Sequence, residues 1–239
     1  MRQKIKTAFF IFFLQLCGVA AYAQNTPLPQ ILQKLSAPQT SNRAELLRDL
    51  KKYKTSDYGT EERKQLLRVL AADSLSGYET VLRVAGQVGV GTEKLSALSD
   101  NTDNPGLQAT AKLALARIGD QSMLDNLMRN VKKKAVDDVF VYHIAPSLIY
   151  VRQKPATDYL FDLILSNEKG CTSPNPDSDT KMPCAYRLIE MLAPVVIEFP
   201  VQLSQSGDIK TDSYEKTLSE VRQWISINRN DYQLNRDSY

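Results

Sequence analysis

Side chains that commonly perform chemistry are sparse in this sequence. Histidine occurs once in 239 residues, at His143. A single imidazole excludes zinc sites built on several histidines and catalysis that needs more than one. Asp138 and Ser147 are polar neighbours in sequence, and in a helix Ser147 lies one turn beyond His143. A catalytic triad needs groups that converge in space, and the apolar residues around His143 favour a packed histidine in a core-facing segment.

The cysteines predict one disulfide. Of the three, Cys17 lies in a segment that we expect to be removed, which leaves Cys171 and Cys184. The segment between them contains three prolines and few apolar side chains, so it has little means of ordering itself by burial. A disulfide that closes this loop would contribute roughly 3 kcal/mol in the chain-entropy model. A redox-active pair is the alternative, but catalytic dithiols are usually separated by two residues.

The carboxylates and glycines match no established motif. Asp177 and Asp179 could offer oxygen ligands to calcium, but the spaced ligands, glycine and closing glutamate of an EF-hand loop are absent from the sequence. The adjacent pairs at 61–62 and 137–138 point in different directions on a helix, so we expect them to be solvated. The glycines at 86–91 lack the lysine and strand of a phosphate loop. We therefore expect no catalytic, cofactor-binding or metal-binding residues.

The first 23 residues resemble a secretory signal peptide. A basic start is followed by an apolar run from Ala8 to Leu16 and by Ala21-Tyr22-Ala23. The apolar run is too short for a bilayer, which takes about 20 residues. Lipidation at Cys17 is the alternative, but Leu16 occupies a place where lipoprotein processing favours a small residue. The sequence predicts cleavage before Gln24 and export to the periplasm or the medium.

Composition indicates a folded globular chain. It is 43% hydrophobic and 24% charged. The sequence has 30 Lys and Arg against 27 Asp and Glu, and loss of the three basic residues in 1–23 makes these counts equal. A neutral chain has no global field to attract nucleic acid or an anionic membrane.

The run Lys132-Lys133-Lys134 follows a predicted helix end, where cations complement the helix dipole; a contact point for an acidic partner is the alternative.

Apolar spacing predicts an all-α fold. The strongest helix begins at Asn104-Pro105 and stops at Gly119. It carries two nearly opposite apolar stripes, which predict packing between neighbours: a first of Leu107, Ala111, Ala114, Leu115 and Ile118, and a second, narrower one of Ala109, Leu113 and Ala116. Residues 136–150 form the most apolar stretch after the first 23 residues. Its length favours a buried helix that is kinked or broken at Pro146; a buried strand followed by a helix is the alternative. We expect a domain over 24–227 and a polar tail, 228–239, that frays. The remaining predicted helices begin near residues 42, 60, 78, 92, 121, 155, 185 and 213. Asn42-Arg43-Ala44-Glu45 opens like a capping box, the helix from 60 should end near Leu75, and the polar run 99–103 should form a loop.

A weak internal repeat accompanies this pattern. Val88-Gly89 and Ile118-Gly119 each end a helix, 30 residues apart, and a second helix follows each. The copy over 104–131 resembles a bacterial HEAT-like, armadillo-type repeat, in which an alanine-rich helix ends in an aliphatic-glycine-acid turn. The next helix carries a Leu-x-x-Leu stripe, here Leu124 and Leu127. The resemblance implies an α-solenoid that binds other macromolecules and has no catalytic residue; an irregular α-helical bundle is the alternative.

These features predict an exported, non-enzymatic interaction protein. The expected partner is a protein, bound on the solenoid surface, without nucleic acid, cofactor or membrane span; the sequence does not define the oligomeric state. A periplasmic immunity or inhibitor protein acting against a toxin or envelope hydrolase is the second hypothesis. A hydrolase that uses a carboxylate site unrecognised in the sequence is the third.

Overall fold

The computed structural model describes residues 26–37, 40–72, 76–173, 177 and 179–239. Across these residues the fold is all-α, with one two-stranded antiparallel hairpin. The signal-peptide prediction, Cys17 and Gln24 lie outside the described residues. The helices and strands are α1 (Leu28–Leu35), α2 (Arg43–Leu50), α3 (Thr60–Ala71), α4 (Tyr78–Val88), α5 (Thr92–Asp100), α6 (Pro105–Ile118), α7 (Gln121–Val131), α8 (Ala145–Val151), α9 (Lys154–Leu165), β1 (Cys171–Thr172), β2 (Lys181–Met182), α10 (Ala185–Leu192) and α11 (Tyr214–Asn228).

The ends of α6 follow the local chemistry of the sequence. The side chain of Asn104 accepts hydrogen bonds from the main-chain N–H groups of Gly106 and Leu107, and Pro105 occupies the first turn. Gly119 ends the helix with φ +119°, in the left-handed region that a side chain rarely adopts. Asp120 then caps α7 by accepting from the N–H of Met123. The predicted limits of α6 are therefore confirmed.

Other helix ends differ from prediction. Asn42 precedes α2, but its side chain makes no capping hydrogen bond, so the predicted capping box is wrong. Helix α3 ends at Ala71 rather than near residue 75, and α5 extends to Asp100 through part of an expected loop. At α11 the cap is Ser213, whose hydroxyl accepts from the N–H of Lys216.

Helix α6 lies between two hydrophobic cores. Ala111, Ala114 and Leu115 belong to the core of the N-terminal half, whereas Ala116 belongs to the core of the C-terminal half. Leu113, on the second stripe, packs against the C-terminal core but is only partly buried. The two apolar stripes therefore serve different cores, as expected for a helix packed between neighbours.

Helices contact partners two places along the chain as well as their immediate neighbours. This spacing recurs from one end of the chain to the other, in α1 with α3, α2 with α4, α4 with α6, α6 with α8, α8 with α10 and α9 with α11.

The apolar stretch around His143 is helical but changes its winding. Phe140–Ile144 forms a π-helical turn that leads directly into α8, where Pro146 stands in the first turn. Proline lacks an N–H and its ring clashes with the carbonyl four residues earlier, so a wider turn before it removes the conflict. The prediction of a helix over this stretch is confirmed, but the change in winding lies at Phe140–Ile144, before Pro146, and the chain continues as helix through Pro146.

The prediction that residues 228–239 fray is wrong. After α11 the chain returns along the protein, and Leu234 pairs in an antiparallel bridge with Val196. Further on, the Asp237 carbonyl accepts a hydrogen bond from the N–H of Thr55 at 2.8 Å, and the Asp237 carboxylate accepts from the N–H of Ser56. The tail thus bonds to the connection between α2 and α3 in the N-terminal half and to Val196 in the C-terminal half, and it joins both halves of the fold.

Two buried arginines hold this C-terminal segment. Arg117 and Arg152 expose 2% and 4% of their surface. Arg117 donates to the carbonyls of Tyr150 and Ser238, and Arg152 donates to the Asn235 carbonyl at 3.0 Å. Burial lowers the pKa of each guanidinium to about 10, so both remain charged at neutral pH. Main-chain oxygens thus compensate for the burial of two cations.

No helix in the described ranges is both long and apolar enough to cross a membrane.

Candidate functional site

The structure contains the predicted disulfide between Cys171 and Cys184. The sulfur atoms are 2.03 Å apart, the Cα atoms are 5.1 Å apart, and both residues are buried. The loop is more ordered at its base than the sequence indicated, because β1 and β2 pair there as a short hairpin, with Cys171 opposite Met182. Gly170, just before β1, lies so close to the Val136 carbonyl that a Cβ atom would collide with it. The hairpin is therefore packed against the segment that precedes the π-helical turn.

Asp138 joins the hairpin to that segment. Its carboxylate accepts hydrogen bonds from the hydroxyl of Thr172 at 2.6 Å and from the main-chain N–H of Thr172 at 3.2 Å. The hydroxyl bond, the N–H bond and the nearby Lys181 ammonium lower the pKa of Asp138. Asp137 also accepts a bond, from the N–H of Phe140. Both carboxylates remain partly exposed, as expected for solvated positions, and each in addition fixes a main-chain group.

A groove of about 580 Å³ lies between the hairpin, the π-helical turn, α10 and the start of α11. Three tyrosines face it from three different elements: Tyr142 from the π-helical turn, Tyr186 from α10 and Tyr214 from α11. The Tyr186 and Tyr214 rings meet edge to face, with centroids 5.4 Å apart. We call this site the tyrosine groove; Met182, Pro183 and the hairpin residues Cys171, Thr172 and Ser173 complete its wall.

Large parts of two of these rings remain accessible. Tyr142 is 59% exposed and Tyr214 is 47% exposed. Burial, and secondarily the negative charge of Glu215, raises the pKa of Tyr186, so its hydroxyl stays protonated at neutral pH. The groove therefore presents aromatic faces together with hydroxyl groups that can donate hydrogen bonds.

The charged groups at the groove are mainly acidic. Four carboxylates line it, from Asp138, Glu190, Asp208 and Glu215, with one lining guanidinium, that of Arg187. The Lys181 ammonium, which donates to the Thr172 hydroxyl, offsets a second negative charge. Arg187 donates to Glu190 at 2.8 Å, and this bond raises the pKa of Arg187. Asp208 accepts from the Ser206 hydroxyl at 2.8 Å. Three of the four carboxylates thus accept hydrogen bonds from neighbouring groups. The excess of negative charge at the groove favours a cationic ligand.

His143 and its expected neighbours do not form a triad. His143 is exposed, so the prediction of a packed histidine is wrong. The π-helical turn buries Phe140 and Val141 and leaves the next two side chains, Tyr142 and His143, outside the core. His143 and Ser147 line a second groove near α7, whereas Asp138 lines the tyrosine groove.

The calcium hypothesis gains no support from the geometry. In the part of the chain that the structure describes, no group of three or more His, Cys, Asp or Glu side chains is placed to hold a metal ion. Ser178, between Asp177 and Asp179, lies outside the described residues.

The tyrosines were missed by reasoning from the sequence. Tyr142 falls in an apolar stretch that predicts burial, and Tyr186 and Tyr214 stand at the starts of separate helices. A usable signal was the proline in that stretch, because a helix that accommodates Pro146 must alter its winding and so change which side chains face outward.

Comparison with protein-family models, with curated proteins and with solved structures found no match to this chain.

Proposed function

We propose that this chain is an exported, non-enzymatic interaction protein that binds a protein partner at the tyrosine groove. The observation that carries the proposal is the meeting of Tyr142, Tyr186 and Tyr214 around one groove. Tyrosine is enriched at protein interfaces because it buries a large area, loses little conformational entropy and keeps a polar group for hydrogen bonding.

The rigid base of the groove supports binding. The disulfide closes the hairpin, Asp138 bonds Thr172, and the π-helical turn that carries Tyr142 continues into α8. A surface built on such connections changes little when a partner docks, so less free energy is spent on ordering it. Irregular π-helical turns often occur at functional sites, which agrees with this placement.

The charge of the groove indicates what kind of partner segment it binds. The carboxylates outnumber the cations of Arg187 and Lys181 at the groove and so attract a segment that carries Lys or Arg, and the tyrosine faces add cation–π contacts with those side chains. We therefore propose that the partner presents a basic segment. Affinity should fall with rising salt, because the carboxylates are partly exposed to screening ions.

Two further parts of the proposal concern architecture and location. Contacts between helices two places apart support a HEAT-like solenoid, since stacked helix pairs place equivalent helices beside each other. The disulfide supports an oxidising compartment, and the basic, apolar and small-residue segments of 1–23 support export by a signal peptide.

Site-specific photo-crosslinking in the exporting cell tests this function. A photoreactive phenylalanine analogue is placed at Tyr142, with a matched position at Ile227, which is 69% exposed and lies on α11 outside the residues that line the groove. The proposal predicts a discrete adduct with one protein at position 142 and none at position 227.

The partner is then identified and its binding measured. Replacement of Glu215 by Gln should weaken binding and reduce its dependence on salt, whereas Glu61→Gln on α3 should change neither. No adduct at position 142, the same adduct at both positions, or binding that is insensitive to Glu215 and to salt would contradict the proposal.

A further inference from the structure

A second groove, separate from the tyrosine groove, runs along α7. It encloses about 320 Å³ between α6, α7, the π-helical turn and the start of α8. Its apolar floor is formed by Leu113, Met123, Leu127, Val131 and Ile144. We call it the lysine-rimmed groove, for the residues described next.

The floor follows from helical spacing. On α7, Met123, Leu127 and Val131 recur every four residues and so form one stripe along the helix. Leu113 belongs to the second stripe of α6, in which Ala116 is buried in the C-terminal core and Leu113 packs against that core while staying partly exposed. Apolar side chains that would continue the core are thus left partly exposed, and an apolar ligand could cover them.

Two lysines stand at the edge of this groove, together with neutral polar side chains. Lys112 is the residue before Leu113 on α6, Lys134 lies just after α7, and the side chain of His143 comes from the π-helical turn. Among the described residues that line the groove, none is acidic. In the described ranges neither Lys112 nor Lys134 forms an ion pair with a carboxylate. Two ammonium groups beside an apolar floor complement a molecule with an anionic head and an apolar tail.

We propose that the lysine-rimmed groove binds a free medium-chain fatty acid. The carboxylate lies between Lys112 and Lys134, and the acyl chain covers Leu113 and Leu127. The volume is near the lower end for small-molecule sites, about 300 to 1,000 Å³, so it suits one acyl chain and not the two chains of a phospholipid. Asn126 and Asn130, which bond to each other at 2.9 Å on α7, supply amide groups at the edge. This inference does not depend on the function proposed for the tyrosine groove.

Binding of single-chain probes to the folded chain tests the inference. The probes are octanoate, decanoate, decanol and decyltrimethylammonium, each below its aggregation concentration. Binding is followed by calorimetry and by NMR of the Leu and Ile methyl groups. Decanoate should shift the Leu113, Leu127 and Ile144 methyl signals in a saturable manner. Each added methylene should tighten binding up to about fourfold, because burying it is worth about 0.8 kcal/mol.

Charge reversal and two variants complete the test. Decanoate should bind at least tenfold more tightly than decyltrimethylammonium, and the double variant Lys112→Gln/Lys134→Gln should abolish that preference. The matched control, Lys64→Gln/Lys216→Gln, changes two exposed lysines on α3 and α11 and should retain the preference for decanoate over decyltrimethylammonium. Leu127→Asn should weaken binding of every probe without a large change in melting temperature, because Leu127 is only partly buried.

Three results would overturn the inference. The first is that millimolar decanoate causes no saturable shift of the methyl signals. The second is equal affinity for decanoate and decyltrimethylammonium. The third is that the control variant loses the preference for decanoate as fully as the Lys112→Gln/Lys134→Gln variant does. Crosslinking at Tyr142 reports on the other groove, so either proposal can fail while the other stands.

Discussion

Asp138 and Thr172 are 34 residues apart in sequence and joined by three hydrogen-bond contacts, to the hydroxyl and to the main-chain N–H of Thr172. The first residue begins the helix that carries Tyr142, and the second lies in the hairpin beside Cys171. This pairing sets the spacing between two walls of the tyrosine groove. A change in the charge of Asp138 should therefore alter the groove before it alters the helices.

The pKa of Asp138 gives the first prediction. Because this pKa is lowered in the folded protein, the stabilisation is fully present above the unfolded value of about 3.9 and is lost as the pH falls through the lower folded value. NMR titration of the Asp138 carboxyl carbon should find a midpoint below 3.9. Thr172→Val, which removes the hydroxyl donor, should move it upward. A midpoint at or above 3.9 in the unaltered protein would contradict this assignment.

The disulfide gives the second prediction. Replacement of Cys171 and Cys184 by Ala should lower the free energy of unfolding by roughly 3 kcal/mol, as expected for a short closed loop. The far-ultraviolet helical signal should be retained, because the bond closes a local hairpin. Chemical denaturation and circular dichroism measure both quantities. Loss of the helical signal, or two free thiols in the unreduced native protein, would show that this account of the bond is wrong.

The packing of α6 gives the third prediction. Leu115 is 2% exposed, and its replacement by Ala should cost about 2 to 5 kcal/mol. Leu113→Ala should cost less, since one side of Leu113 faces the lysine-rimmed groove, and Lys112→Ala should be nearly neutral. Urea denaturation of the three variants tests this order. If Leu115→Ala and Leu113→Ala lowered the free energy of unfolding equally, both stripes would be fully packed, which would contradict the partial exposure assigned to Leu113.

The C-terminal segment gives the fourth prediction. Arg117→Ala removes the donor to the Tyr150, Arg236 and Ser238 carbonyls and should destabilise the fold by about 3 kcal/mol, because buried acceptors lose their partner. It should also make residues 233–239 susceptible to carboxypeptidase. Arg129→Ala, an exposed change on α7, serves as the control. An Arg117→Ala chain that resists digestion as well as the control would contradict the role assigned to Arg117.

The sequence predicted the features that depend on neighbours in the chain. The limits of α6 follow from Asn104 and Gly119, and the disulfide follows from two cysteines around a polar loop. Features set by distant residues were missed. From its sequence the polar tail resembles a fraying end, because the donors to its carbonyls, Arg117 and Arg152, lie far away in the chain. Likewise, the apolar neighbours of His143 predict burial, whereas the π-helical turn places its side chain on the outward face of the helix.

The tyrosine groove was missed for the same reason. Its three rings come from elements that lie far apart in the chain, and Tyr142 stands among apolar residues that suggest a core. No local pattern reports that Tyr186 and Tyr214 will meet edge to face. Tertiary packing decides whether these two rings meet and form one wall of the groove.

The most direct test of the central claim, and the fifth prediction, is the affinity of the partner captured at position 142 for two matched variants. Tyr142→Ala removes a ring that is 59% exposed at the groove, and Ile227→Ala removes a side chain that is 69% exposed elsewhere. If the groove is the interface, Tyr142→Ala should raise the Kd at least about tenfold while Ile227→Ala leaves it unchanged, with equal melting temperatures. An unchanged Kd for Tyr142→Ala, or an equal rise for Ile227→Ala, would contradict the account.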